Sequence, residues 1–517
     1  MSDSKIEGLK SLRERLKKNI EERANVQHSK GKLSAIERIN ALLDPGSFLP
    51  MLNYVVPYNS TIDLQKLEQL GDGVVAGYGT IDGRGVIVFA EDFTFMGGSM
   101  GVTHLNKISR MIELAVKMGL PIIGLYDSGG ARIQEGVHSL TALGGVFYNN
   151  VMASGYIPQI AVIMGPCAGG ACYSPALMDF IIMVEKVSYM FITGPRVVKS
   201  VTGEDKTPEE LGGPAIHATR SGVATHVAKN DLEAMQLVRR LVSYLPNNAL
   251  SDPPFIQTDD PVDRIDPEVN RLVPEDQRKP YDVKALINRV FDRDTFLEVH
   301  KDFAPNAVVG FARLGGHSVG VVANQPKFLG GVLDIDSSDK ISRFIRFCNT
   351  FNIPLFTFVD TPGYMPGTKQ EHGGIIRHGA KVIYAYSEAT VPKVTVIVRK
   401  AYGGAYIAMC SRLLGADVVY AYPTAEIAVM GPEGAIEIIY RKEIEATPPE
   451  EREAFIRRLV EEYRERWANP YEAASRGHID DVILPEETRS ILYRTLLRLL
   501  KKKYEIHLRK KHGIIPA

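Results

Sequence analysis

Two short stretches carry residue types whose spacing could do chemistry. Arg399 to Tyr406 reads Arg-Lys-Ala-Tyr-Gly-Gly-Ala-Tyr, after a strand-like Val394-Thr-Val-Ile-Val398 and before a predicted helix from Ile407. Residues 161 to 174 read Ala-Val-Ile-Met-Gly-Pro-Cys-Ala-Gly-Gly-Ala-Cys-Tyr-Ser, an apolar run into Gly169-Gly170-Ala171 and then a small-residue helix start. Adjacent glycines at a strand-to-helix switch let the backbone turn tightly and approach a ligand. They also leave first-turn N–H groups free to meet an anion or a polarised carbonyl. Such donors are worth most where negative charge develops on oxygen, as in an enolate or a tetrahedral oxyanion held away from water. Two turns of this kind imply two oxygens to stabilise. One Gly-Gly alone is more often a packing or turn solution, and it is the shared context of the two copies that favours chemistry.

Other routes to catalysis lack their motifs. The chain has no Gly-x-Ser-x-Gly, no Gly-x-x-x-x-Gly-Lys-Ser/Thr and no His-Glu-x-x-His, which argues against an acyl-serine hydrolase, a P-loop enzyme and a zinc hydrolase. Its histidines are scattered, and no metal is expected. Arg84, Lys107 and Arg110 lie where a phosphorylated ligand could meet the first half of the chain, although surface helix charge explains them as well.

The elements that must position the glycine turns follow from composition and periodicity. The 517 residues suffice for two domains, and 45% hydrophobic with 24% charged residues is ordinary for a well-cored protein. Lys plus Arg and Asp plus Glu are each 61, so there is no whole-chain electrostatic case for nucleic acid or a membrane surface. Cys167, Cys172, Cys348 and Cys410 form no Cys-x-x-Cys pair, which argues against zinc ribbons, redox motifs and disulfide scaffolds. The N-terminus shows no apolar leader and no run is long enough to span a bilayer, so the expectation is a cytoplasmic protein with no direct membrane insertion.

Residues 1–30 read as a charged amphipathic helix or arm, with Ile6, Leu9, Leu12, Leu16 and Ile20 on one face. Ser34 and Glu37 form a capping-box start for a helix that Asp44-Pro-Gly-Ser47 stops. From Gly71 onward short strands alternate with helices, the signature of an α/β fold with crossover helices.

The later half repeats this order. Phe95, Gly97 and Gly98 match Phe328, Gly330 and Gly331; Lys107-Ile-Ser-Arg110 matches Lys340-Ile-Ser-Arg343; Pro121, Asp127 and Gly130 match Pro354, Asp360 and Gly363, all offset by 233 residues. The glycine pair recurs 42 residues after Asp127 and 43 after Asp360, and each copy runs on to a Gly-Pro, at Gly194 and Gly431. Two homologous α/β domains are expected, over 31–250 and 281–517, joined by a Pro-rich linker over 251–280. A charged helix over Pro448 to Trp467 and a basic tail over Lys501 to Lys511 close the chain, both expected as solvated surface.

With these stretches in view, the sequence resembles the carboxyltransferase (beta) subunit of biotin-dependent acyl-CoA carboxylases, the propionyl-CoA and acetyl-CoA carboxylase group, over nearly its whole length. In the first half the resemblance is carried by Gly31-Lys-Leu-Ser-Ala-Ile-Glu-Arg-Ile39, Leu42-Leu-Asp-Pro-Gly-Ser-Phe48, Gly71-Asp-Gly-Val-Val-Ala-Gly77, Asp127-Ser-Gly-Gly-Ala-Arg-Ile-Gln-Glu135 and Gly165-Pro-Cys-Ala-Gly-Gly-Ala171. In the second it is carried by Val322-Ala-Asn-Gln-Pro326, Asp360-Thr-Pro-Gly-Tyr-Met-Pro-Gly-Thr368, Gln370-Glu-His-Gly-Gly374, Arg399 to Tyr406 and Ala425-Glu-Ile-Ala-Val-Met-Gly-Pro-Glu-Gly434.

The resemblance implies two crotonase-like (ClpP/crotonase) domains in tandem, the first for acyl-CoA and the second for biotin. It implies an active site shared between the subunits of a dimer, and a homo-hexamer built as a trimer of dimers. The N–H groups of Gly169 and Gly170 would then stabilise a thioester enolate, and those of Gly404 and Ala405 would bind the ureido oxygen of carboxybiotin. Ala131, Ala168 and Ala171, with Arg84 and Lys107, fall to the acyl-CoA side; Tyr402, Gly403, Pro362 and Gly363 fall to the biotin side. Neither a biotinylation site nor an ATP-binding glycine loop occurs in the chain, so a biotin carboxylase subunit and a biotin carboxyl carrier protein are the implied partners.

Ile407 follows the second glycine turn, where propionyl-CoA-specific members typically carry aspartate; an apolar residue implies that acetyl-CoA is accepted too. Ile407 equally suits the carboxyltransferase subunit of a sodium-pumping methylmalonyl-CoA decarboxylase, which runs the half-reaction in reverse. A CoA-thioester hydratase or isomerase shares the oxyanion logic but needs only one such domain, and a non-catalytic scaffold would not need both glycine pairs.

Overall fold

Apolar runs bounded by glycine and proline become two sheets. The computed structural model describes residues 2–502 and 512–516, and the chain divides into two compact units, Met1–Ser251 and Asp252–Ala517.

In the first unit β1 (Leu49–Pro50), β2 (Val74–Ile81), β3 (Arg84–Glu91), β4 (Ile122–Ser128), β5 (Gln159–Ala168), β6 (Phe180–Val184) and β8 (His226–Ala228) pair in the order β1-β2-β3-β4-β5-β6-β8, with β7 (Tyr189–Phe191) also on β5. β1 to β3 are antiparallel to one another, and β3 through β8 are parallel. β4 is buried along its whole length, as a strand sandwiched between helices must be. The helix Val102–Met118 packs Leu105, Ile108, Met111, Ile112 and Ala115 into the core at spacings of three and four, and Gly119 ends it in the left-handed region at φ 62°.

The second unit repeats this plan. β9 (Leu297–Val299), β10 (Ala307–Leu314), β11 (His317–Asn324), β12 (Leu355–Thr361), β13 (Lys393–Tyr402), β14 (Val418–Ala421) and β16 (Asp481–Val482) pair in the order β16-β14-β13-β12-β11-β10-β9, with β15 (Glu426–Ala428) on β13. The two leading hairpins coincide at the 233-residue offset. Asp82-Gly83 (φ 49° and 76°) and Gly315-Gly316 (φ 57° and 84°) each turn with both central residues at positive φ, the form whose twist matches the strands.

The helix Ser2–His28 occupies the expected arm, and Arg23 ties it to Asp92 at 2.7 Å. The capping box of Ser34 and Glu37 starts the helix Ala35–Leu42. Of residues 251–280, expected as a linker, 252–280 fall within the second unit: Val269 and Val273 sit in its core, and Arg264 pairs with Asp260 at 2.9 Å. The charged helix runs Pro449–Arg466. Residues 503–511 of the basic tail lie outside the described residues. Among the described residues no helix is long and apolar enough to cross a membrane.

Candidate active site

In each unit the third parallel strand of the sheet stops at a glycine turn. β5 ends at Ala168, Gly169 turns at φ 63°, and a short 3-10 helix Gly169–Cys172 follows; β13 ends at Tyr402, Gly403 turns at φ 57°, and the helix Gly403–Ala408 follows. A left-handed backbone at both first glycines is the reason for the residue type, since an L side chain there is strained. Neither helix start has a side-chain cap. The N–H groups of Gly169, Gly170, Gly404 and Ala405 therefore lie in first turns that supply them no intrahelical acceptor. Ala171 and Ala405 are fully buried and lock the turns onto the core, whereas Gly404 is exposed. A methyl on Gly404 would meet nothing nearer than the Tyr364 ring at 4.0 Å, and one on Gly363 nothing within 4 Å, so the backbone there is open to a flat ligand.

The neighbouring strand supplies the wall. The ladder is interrupted between Tyr126 and Ser128 in the first unit and between Val359 and Thr361 in the second, which isolates Asp127 and Asp360 at equivalent irregularities. The loop after Asp127 packs directly on the turn: Ser128 pairs with Cys167, and a methyl on Gly130 would lie 3.0 Å from the Ala168 carbonyl. Ala131 bridges to Met100, as Tyr364 bridges to Leu333. Pro362 is exposed, and Gly363 holds φ 141° beside it.

Both aspartates are fully buried and held by cations. Asp127 accepts from Lys32 and from Arg38 (2.9 Å), and Arg38 also donates to Asp231 at 2.8 Å. Asp360 accepts from Arg399 Nε at 3.0 Å, and the same guanidinium donates to the carbonyls of Asp276 and Lys279. Burial pushes the Asp360 carboxyl up, and Arg399 and Lys400 pull against it. The Tyr402 hydroxyl donates to Glu426; burial and that carboxylate raise its pKa far above the ordinary phenol range. Burial pushes Tyr364 up to about 12, so the phenol beside Gly404 stays neutral.

Two residues expected on the acyl-CoA side are placed elsewhere. Arg84 opens β3 and donates to the carbonyls of Val242 (2.8 Å) and Leu245 (2.6 Å). Through the ladder it lies about a dozen residues before the glycine turn, on the order of 40 Å along the strands. Lys107 is buried, and its Nζ donates to the carbonyls of Leu52 (3.1 Å) and Val74 (2.6 Å). Both cations are consumed by backbone carbonyls, which is why neither is presented to a phosphate. Ile407 is 49% exposed on the helix that starts at Gly403.

Sequence reasoning missed the polar network behind the first turn. The Glu91 carboxylate accepts from the Asp127 N–H at 2.8 Å and faces His104 Nε2 at 3.2 Å, while His104 Nδ1 faces the Asp72 carbonyl at 3.0 Å. Arg132 Nη1 donates to Asp72 (2.7 Å) and Glu135 (2.8 Å). The available signal was the repeat itself: Glu91 and His104 fall on Asn324 and Ser337, ionisable residues in one copy and non-ionisable ones in the other.

A duplicated crotonase-like α/β unit, each copy ending its central strand in a glycine turn, is the framework of a carboxyltransferase. The chain belongs to the carboxyl transferase domain family, whose model matches residues 26–515. It is 53% identical over 515 residues to the carboxyltransferase subunit of propionyl-CoA carboxylase from Haloferax mediterranei, covering 99% of both chains. It is also 53% identical over 496 residues to the alpha subunit of methylmalonyl-CoA decarboxylase from Veillonella parvula, covering 96% of this chain and 95% of that one. Among solved structures it matches the hexameric transcarboxylase 12S core with methylmalonyl-coenzyme A and methylmalonic acid bound, at 49% identity and a TM-score of 0.95 over 100% of this chain and 99% of that one.

Proposed function

We propose that this chain is the carboxyltransferase subunit of a biotin-dependent acyl-CoA carboxylase, moving a carboxyl group from carboxybiotin on a separate carrier protein to the α carbon of propionyl-CoA. The duplicated glycine turn is the observation that carries this reading. Carboxybiotin supplies the carboxyl group and, once relieved of it, the base for the acyl α proton. The chain's own residues align and stabilise: Gly169 and Gly170 aim N–H groups at the thioester oxygen as it becomes an enolate, and Gly404 and Ala405 aim theirs at the ureido oxygen. The open backbone at Gly363 and Gly404, flanked by the neutral Tyr364, fits a flat ureido ring. Ala131 and Ala168 line the acyl side as small residues that let the thioester approach the backbone, with Ala171 packed beneath the turn, and Pro362, Tyr402 and Gly403 shape the biotin side.

The reading assigns the acyl-CoA side to 31–250 and the biotin side to 281–517, in a cytoplasmic homo-hexamer served by a biotin carboxylase and a biotin carboxyl carrier protein. The purified chain is expected to decarboxylate methylmalonyl-CoA only when free biotin is present. Turnover independent of biotin, or none at all, overturns the proposal.

A second reading has support of its own, the decarboxylase subunit from Veillonella parvula at the same 53% identity. Copurification separates the two, because a soluble ATP-dependent biotin carboxylase points to the carboxylase and an integral membrane subunit to the decarboxylase. Ile407 is proposed to widen the acyl range to acetyl-CoA. One methylene in an apolar pocket is worth only about 1 to 3 kcal/mol, so kcat/KM for the two thioesters should differ by less than about a hundredfold; a larger preference for propionyl-CoA sinks the broad range.

A further inference from the structure

The two units start their first long helix in different ways, and the difference reaches the acyl-CoA turn. In the second unit Asp334 caps its own helix, Ile335–Thr350, by accepting from the Ser337 N–H at 2.9 Å, while the Asp334 N–H donates to Ser337 Oγ at 2.8 Å. The equivalent residue in the first unit is Gly101, which cannot cap the helix Val102–Met118. Asp72 caps instead, accepting from the His104 N–H at 2.9 Å, and Glu135 accepts from the Val102 N–H at 2.6 Å, where the second unit uses the neutral Gln370 on the Ile335 N–H at 3.1 Å. Glu135 lies just beyond the Asp127 loop, and Arg132 binds it to the rest: Nη1 donates to Glu135 and Asp72, Nη2 to the Ser99 carbonyl at 2.7 Å. A Cβ at position 101 would collide with both Arg132 and Glu135, so the glycine is what admits the pair.

The backbone between them is stitched identically in the two units. The Met100 N–H donates to Gly130 O and the Arg132 N–H to Met100 O; the Leu333 N–H donates to Gly363 O and the Met365 N–H to Leu333 O. Only the first unit adds a buried charge cluster to that stitch, with Met365 and Thr368 standing where Arg132 and Glu135 would be. The clamped loop is the one whose Gly130 rests on the Ala168 carbonyl, one residue before Gly169.

We infer that Arg132 and Glu135 are positioning residues for the acyl-CoA half of the site: they lock the 129–132 loop to the start of the helix Val102–Met118 and so fix the strand end from which Gly169 and Gly170 present their N–H groups. This rests on the assignment of those N–H groups to the thioester enolate. A donor set aimed at a developing charge loses rate when the backbone carrying it drifts, even with substrate still bound. The second unit provides the control, because its own solution can be transplanted. The triple variant Gly101→Asp, Arg132→Met, Glu135→Thr restores a helix cap while removing the clamp.

The readout is biotin-dependent decarboxylation of methylmalonyl-CoA alongside Tm. The triple variant is expected to melt lower, because Asp72 stays buried without Arg132, so kcat is read well below its Tm; there kcat is expected to fall by about tenfold or more with KM little changed. Wild-type kcat in the triple variant overturns the inference, since the cluster would then be only a helix cap. Should the triple variant fail to fold, Arg132→Lys keeps the charge but not the fork: a similar fall in kcat supports the clamp, and unchanged kcat overturns it. An inactive wild-type chain would remove the assignment of the turn and the inference together, whereas an active wild type with equally active variants removes the inference alone.

Discussion

The buried aspartates Asp127 and Asp360 occupy the same break in the same ladder, yet their countercharges come from different parts of the chain. Asp360 is met by Arg399, four residues before the glycine turn on the adjacent strand β13. The position matching Arg399 on β5 is Gly165, where any Cβ would collide with the Asp127 carboxylate. The first unit therefore draws its cations from outside the repeat, with Lys32 and Arg38 folding over from the segment that precedes it. Arg399 in turn gathers the carbonyls of Asp276 and Lys279, which pins the proline-rich segment to the second unit. The fold thus demands a neutralised carboxylate at this break and leaves open which segment neutralises it.

Removing Arg399 is the harshest test of that contrast. Arg399→Met leaves a fully buried carboxylate short of its main partner, which should destabilise the second unit by about 3 to 5 kcal/mol. Lys32→Met should cost less, about 1 to 2 kcal/mol, because Arg38 stays on Asp127. Urea unfolding of both variants checks the order. Equal losses would show that the two countercharge systems are energetically alike despite their different origins. Proteolysis within 270–280 should also rise in Arg399→Met and not in Lys32→Met.

The paired lysines sharpen the comparison at smaller scale. Lys340 Nζ donates to the carbonyls of His300, Phe303, Ala304 and Ala307 at 2.7 to 3.3 Å, whereas Lys107 Nζ serves only Leu52 and Val74. Lys340→Met should therefore cost about 1 to 2 kcal/mol more than Lys107→Met. Burial pushes each ammonium down from 10.5 to about 7. Between those values the unfolded chain holds a proton that the folded chain has released, so each group makes stability rise with pH from about 7 to about 10.5. The slope is at most about 1.4 kcal/mol per pH unit for each lysine. Either Met variant should flatten that rise, and an unchanged pH profile would show that the ammonium keeps its proton in its carbonyl cage.

Much of this was legible in the sequence wherever a residue type is forced by backbone geometry. The hairpin at Asp82-Gly83 and the positive-φ glycines at 169 and 403 are demanded by conformation, so the repeat preserves them, the hairpin at an offset of 233 residues and the glycines at 234. Long-range side-chain partners were not legible, because nothing local says where a cation's donors end. Lys107 read as a surface or phosphate-facing charge, yet it recurs as Lys340 in a unit expected to bind a different ligand. That recurrence argues for a structural role. Arg84 misled for the same reason, since its partners Val242 and Leu245 lie more than 150 residues away in sequence. Glu135 was quoted only as part of a family motif; its cap on Val102 becomes visible once Gly101 is set beside Asp334.

The gentlest probe acts on that last pair. Asp334→Ala removes the cap of Ile335–Thr350, for which the expected cost is about 1 kcal/mol. Asn306 Nδ2, which donates to Asp334 at 3.1 Å, keeps its second acceptor, the Val332 carbonyl at 2.8 Å, so the loss falls mainly on the Ser337 N–H. Because this cap is local, the loss should stay in the helix and leave biotin-dependent turnover near wild type. Glu135→Gln alters the acceptor of the Val102 N–H, and the residue altered belongs to the segment that follows the Asp127 loop and is tied to Arg132, so turnover should fall along with stability. Measuring Tm and kcat for the two variants side by side tests whether the units differ in coupling or only in detail. Equal effects on kcat would mean that a helix start 30 residues before the loop matters in both units, and that the charged clamp adds nothing specific to the first.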